Sequence, residues 1–117
     1  MSTERVFTLA DYLQPSDQEP IRSVVSRTQD TAIVAWHVKP GQHLPAHSHP
    51  TGQDTWIIMS GTGMYQLDKD GNTKIIKAGD IVIAEKGAVH GVYNHGTEPL
   101  IFAGVVAPAE SGFELLG

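Results

Sequence analysis

The chain has 117 residues, a formal net charge of −5 and no cysteine. That length suits one compact domain, expected over 1–117, and is too short for two. Without thiols there are no disulfides, thiolate metal sites or cysteine nucleophiles, so any metal must be held by nitrogen and oxygen.

From the N-terminus, "MSTERVFTLADYL" has no basic segment followed by an apolar one, and so does not read as a signal peptide. Within it, "LADYLQ" suits a helical turn. Twelve glycines and seven prolines then divide the chain into short pieces. The β-branched and aromatic runs between them are "IRSVVSRT", "TAIVAWHVK", "TWIIMS", "GMYQL", "TKIIKAG", "DIVIAEKG", "VHGVYN" and "PLIFAGVVA". Turn signals such as "KPGQ", "HPTGQ" and "NHGTEP" separate them, a spacing that predicts an all-β sandwich or barrel. "YQLDKDGNTKII" predicts a hairpin, with Asp70, Gly71 and Asn72 suited to positive φ. "AESGFELL" fits a short strand or a frayed turn.

The longest apolar stretch, "LIFAGVVAPA", falls short of the ~20 residues that span a bilayer. No stretch clusters lysine and arginine, which argues against a nucleic-acid partner. The expectation is a soluble cytoplasmic protein with neither a membrane nor a nucleic-acid partner.

Chemistry concentrates at "GQHLPAHSHPTGQDTW", from Gly41 to Trp56. On an extended strand, residues two apart share a face, so His47 and His49 project together as a chelate requires. His43 has the same parity, but Pro45 intervenes. Asp54 shares its parity with Trp56 and Ile58, which gives one strand face a polar head and an apolar continuation. His90 follows 41 residues after His49, at the end of a second strand-and-turn unit. Two ligands from one strand and more from its neighbours is how a facial metal site is built. His37 and His95 read as ordinary surface or satisfied core histidines, and Trp56 as core packing. Tyr65 and Tyr93 carry hydroxyls that nothing in the sequence aims at the site.

These residues resemble the two motifs of the cupins. The first, G-x5-HxH-x3,4-E-x6-G, is matched by Gly41, His47, His49, Asp54 and Gly61; the second, G-x5-PxG-x2-H-x3-N, by Gly79, Glu85, Gly87, His90 and Asn94. Together they span 41–94. The resemblance implies an all-β jelly-roll barrel, or double-stranded β-helix, of two antiparallel sheets. It implies a divalent transition metal (Fe, Mn, Ni or Zn) held by His47, His49, Asp54 and His90. Gly61, Gly79 and Gly87 fall at its turn positions and Asn94 at a structural one.

The chain departs from the pattern twice. Glu85 replaces proline in a turn. Asp54 replaces glutamate and is one methylene shorter, about 1.5 Å of reach. Gln53 competes for the fourth ligand position, but only Asp54 keeps the six-residue interval to Gly61.

The functional expectation is a mononuclear metal-dependent enzyme, dioxygenase-, isomerase- or lyase-like, acting on a small oxygen-rich molecule. The alternatives are a non-catalytic binding protein for a small acid or sugar, and a structural dimer with a vestigial pocket. Small cupins commonly pair, so the resemblance also implies a homodimer.

Overall fold

The computed structural model describes residues 4–116. Among them the β-rich runs become ten strands: β1 Ser23–Arg27, β2 Ala32–Val38, β3 His43–Ser48, β4 Gln53–Ser60, β5 Thr62–Gln66, β6 Thr73–Lys77, β7 Ile81–Ala84, β8 His90–Tyr93, β9 Leu100–Ala107 and β10 Glu114–Leu115. The N-terminal helical turn is a short 3-10 segment, Leu9–Tyr12. The strands form two five-stranded sheets, in the orders β1-β2-β9-β4-β7 and β10-β3-β8-β5-β6. From β2 onward the chain passes from sheet to sheet, apart from the β5–β6 hairpin; this is the expected jelly roll. No strand of one sheet pairs with a strand of the other among the described residues, so the jelly roll is a two-sheet sandwich rather than a closed barrel.

Period-two patterning sets the inner faces. Burial along β9 alternates without a break, with Leu100, Phe102 and Val106 pointing in. Phe102 lies between Trp36 on β2 and Ile58 on β4 in the register, and its ring centroid is 4.3 Å from that of Trp56. The opposite sheet supplies Leu44, Tyr65, Ile76 and Val92 to the same core. Burying each such side chain contributes roughly 1.5–3 kcal/mol.

The same register leaves the other half of the sandwich hollow. Gly104 sits opposite both Trp56 and Val34. With no side chain between the indole and Val34, this half holds a cavity of about 370 Å³.

Two turns show why the spaced glycines matter. Gly71 takes a φ of 85° in the β5–β6 loop, while Asp70 and Asn72 keep negative φ and are tied to the Asp68 carboxylate. Gly61 has φ 84°, and a Cβ there would lie 2.3 Å from the Pro99 carbonyl oxygen. Asn94 is fully buried; its amide donates to the carbonyls of Val38 and Glu98 at 2.9 and 2.8 Å, tying the β8–β9 loop to β2.

Candidate metal centre

The β3 strand does not keep one parity. Its pairing with β8 is irregular between Leu44 and His47. Leu44 and His47 therefore both face inward, and His43 is exposed. Beyond this bulge His47 lies directly opposite His90, with ring centroids 4.1 Å apart. His49 follows at the end of β3, its ring 5.2 Å from that of His47 and 5.4 Å from that of His90. Asp54 enters from β4 in the other sheet, on the face shared with Trp56 and Ile58, and is buried. Gln53 points to solvent, where its amide donates to the Thr55 hydroxyl at 3.2 Å. Strand parity thus brings Asp54, not Gln53, to the three histidines.

Glu85 leaves its turn intact. Ala88 N–H donates to the Glu85 carbonyl at 2.8 Å, and Gly87 N–H donates to the His49 carbonyl at 3.0 Å, which joins the two motifs.

The ring orientations follow from hydrogen bonds on the outer nitrogens. Each Nδ1 meets a backbone carbonyl: His47 that of Pro45 at 2.8 Å, His49 that of Gly112 at 2.7 Å, His90 that of Ala88 at 3.0 Å. A carbonyl only accepts, so each Nδ1 carries a proton, and a neutral ring then presents a bare Nε2 lone pair. Two of these nitrogens face one carboxylate. His90 Nε2 lies 3.0 Å and His49 Nε2 3.4 Å from Asp54 Oδ2. One ligand atom from each of the four residues lies within 4.8 Å of all the others.

Electrostatics sharpen the picture. Burial pushes the Asp54 carboxyl up, but the contacts with His49 and His90 outweigh it and hold the group well below the usual carboxylate range. The Asp54 contact raises His49 against the effect of burial. Burial, reinforced by the neighbouring His90, lowers His47 to about 4. Asp54 Oδ1 and the Trp56 indole nitrogen are buried without a hydrogen-bond partner. The cluster is therefore rich in acceptors and short of positive charge. It is satisfied either by second protons on its imidazoles or by a cation at their centre.

A divalent transition metal fits these residues. Metal–nitrogen and metal–oxygen bonds of about 2.0–2.2 Å place ligands no more than about 4.4 Å apart, a few tenths of an ångström inside the observed span. The shorter aspartate does not prevent contact, since Asp54 Oδ2 already reaches His90.

Three parts of the surroundings lie outside the motifs. The segment after β9 crosses the cavity, and β10 pairs with β3, Glu114 opposite Ser48 and Leu115 opposite His47. This segment supplies the Gly112 carbonyl that orients His49, and the Phe113 ring, 5.2 Å from that of His47. Trp36 and Phe113 give the cavity aromatic walls together with Trp56 of the first motif. Arg22, just before β1, also lines it. The "FELL" run and the lone arginine carry no spacing signal; of the two readings of "AESGFELL", the short strand is the one formed.

The remaining candidates lie apart from the cluster. His95 and Tyr93 are exposed, and His37 is half-buried on β2. Tyr65 is buried in the core, and burial, with repulsion from Asp54, pushes its phenol up and keeps it protonated. Trp56 serves both regions: it packs in the core and walls the cavity.

Comparison with known proteins agrees with this architecture. A protein from Klebsiella pneumoniae subsp. pneumoniae, described as an uncharacterized conserved protein with a double-stranded beta-helix domain, is 49% identical; the alignment covers 97% of this chain and 98% of that one, with a TM-score of 0.94. Oxalate oxidase shares the fold at 13% identity and a TM-score of 0.79, over 95% of this chain and 63% of its own. Among curated proteins, germin-like protein 5-1 of Oryza sativa subsp. japonica is 26% identical over 84 residues, 68% of this chain and 36% of its own length. Auxin-binding protein ABP19b of Prunus persica is 32% identical over 65 residues, 53% of this chain and 31% of its own. The chain thus spans about a third of the length of these curated relatives. The cupin-domain family model matches residues 34–106, which includes both motifs and all four clustered residues, and the chain belongs to the cupin family.

Proposed function

We propose that this protein is a mononuclear metal-dependent enzyme acting on a small oxygen-rich molecule bound in the cavity, with His47, His49, Asp54 and His90 as metal ligands. One observation carries the reading: three imidazoles, each with its outer nitrogen held by a carbonyl, gather with one buried carboxylate so that a ligand atom from each of the four lies within 4.8 Å of the others. The donor set of nitrogen and oxygen suits iron, manganese, nickel or zinc. A divalent ion there supplies Lewis acidity toward an oxygen substituent of the bound molecule, or redox chemistry if it is iron or manganese.

The chain's own residues do the rest. The carbonyls of Pro45, Ala88 and Gly112 fix the ring tautomers. The aromatic walls exclude water from a site of small-molecule size, about 370 Å³. Asp54 stays ionised and lowers the charge of the centre.

A second reading has its own support. The cavity walls are largely apolar, and Tyr65, buried in the core, is not among the residues that line it, so beyond the cluster the described lining presents no imidazole, phenol or carboxyl group. That favours a binding module, and one curated relative is named as an auxin-binding protein.

Metal analysis of natively purified protein tests the first reading. Near-stoichiometric transition metal, together with oxygen uptake or turnover in a screen of small organic acids and sugars, is expected. Metal-free protein with no measurable affinity for any of the four ions would overturn it. Ligand-induced thermal shifts without turnover would favour the binding module.

A further inference from the structure

The cavity has one polar wall that the metal cluster does not explain. Arg22 lines it from the segment before β1, and Arg22 and Asp54 are the charged side chains of its lining. Asp54 is committed to His49 and His90. Among the described residues no carboxylate forms an ion pair with Arg22, whereas Arg27 is paired with Glu110 and Lys39 with Asp17. Arg22 is solvent-exposed at the edge of this largely apolar cavity, so with no carboxylate partner its guanidinium is available to an anion that enters there.

We infer that Arg22 is the recognition group for a carboxylate on the small molecule this cavity binds, so that the ligand is an amphipathic monocarboxylic acid. Three features define that class. The guanidinium presents a planar fork of donors that matches a carboxylate in two parallel hydrogen bonds. The cavity beyond it is walled by Trp36, Trp56, Phe113 and Val34, which suits a flat or branched apolar body rather than a sugar rich in hydroxyls. A single cation, with no second lysine or arginine lining the cavity, suits a monoanion better than a phosphate dianion. Arg22 lines the same cavity as His47, His49 and Asp54, so one small molecule spans from the guanidinium to the cluster. This assignment rests on the proposed function for what occupies the far end of the cavity, and not for the carboxylate contact itself.

Calorimetric titration of the natively purified protein with phenylacetate and its neutral isostere phenylacetamide tests the inference. Phenylacetate is expected to bind about 10-fold or more tightly than the amide. Arg22→Gln is expected to erase that preference while leaving amide binding and the melting temperature unchanged, and Arg22→Lys to restore part of it. Four results overturn the inference: no preference in the native chain, a preference that survives in Arg22→Gln, inorganic phosphate binding more tightly than phenylacetate, or no binding of either organic probe. Repeating the titrations after chelator treatment separates the two readings. A preference indifferent to Arg22 but lost with the metal places the carboxylate on the ion, so that this inference fails and the metal reading stands. A preference that depends on Arg22 in protein that never holds metal does the reverse.

Discussion

His90 Nε2 lies 3.0 Å from Asp54 Oδ2, across the gap between two sheets, while its Nδ1 is held 3.0 Å from the Ala88 carbonyl. The carbonyl takes one ring proton, and the ionised carboxylate has none to give. The pair closes without strain only around a positive charge, either a second proton on the imidazole or a metal ion.

Removing His90 tests that relationship directly. His90→Ala leaves Asp54 with His49 alone and opens one coordination position. Metal occupancy in the purified variant is expected to fall severely, with the far-ultraviolet dichroism of a β protein retained. Full metal content with unchanged coordination would exclude His90 as a ligand.

Asp54 is the departure from the family pattern, and its contribution is measurable. Asp54→Asn keeps the shape and removes the charge, so metal affinity is expected to drop about 10-fold or more. Gln53→Ala, on the solvent face, is expected to leave affinity unchanged. Competition titrations with a chromophoric chelator compare the two, and the opposite ranking would mean that the fourth ligand is misassigned.

In metal-free protein His47 and His49 are expected to titrate in opposite directions from the ordinary value of 6.5. Burial and the neighbouring His90 lower His47 to about 4, whereas Asp54 raises His49. Between pH 6.5 and 4 the unfolded chain binds a proton at His47 that the folded chain does not. The stability His47 contributes is therefore fully present above its unfolded value and is lost as pH falls through 4. For His49 the sign reverses: its contribution is present below the unfolded value and lost as pH rises through the folded one. Imidazole proton resonances followed from pH 8 to 4 should show His49 protonating before His47. Equal midpoints would contradict the geometry of the cluster.

The outer face of the first sheet predicts self-association. Ile57 and Ile81 are cross-strand partners there, 40% and 66% exposed, beside Ile83 at 56% and Met59 at 55%. The outward positions of β4 and β7 carry no charged side chain. Contiguous apolar surface of this kind marks an interaction site. We expect a homodimer, with twice the 12.6 kDa chain mass by light scattering at micromolar concentration, and its dissociation by Ile81→Glu. A native mass near 12.6 kDa would remove the claim.

Much of this architecture was legible in the order of residues. The unbroken alternation of β9, the turn glycines and the hairpin at Gly71 are local properties, because side-chain direction along a strand has a period of two and φ is a property of one residue. Motif spacing singled out His47, His49 and His90, and the six-residue interval to Gly61 favoured Asp54 over Gln53. Other features were decided only by the pairing of distant strands. The bulge opposite β8 turns His43 outward although its parity matches that of His47; Pro45 marks an interruption in the sequence, but the register of the bulge is set by the partner strand. Gly104 opens the cavity because of what stands across from it, Trp56 on one side and Val34 on the other. The Gly112 carbonyl reaches His49 from 63 positions away, and Arg22 lines the cavity from outside either motif. Spacing and periodicity describe what a residue does to its own strand. Which residues face one another across a cavity is fixed by sheet order and register, and those exist only once the chain has folded.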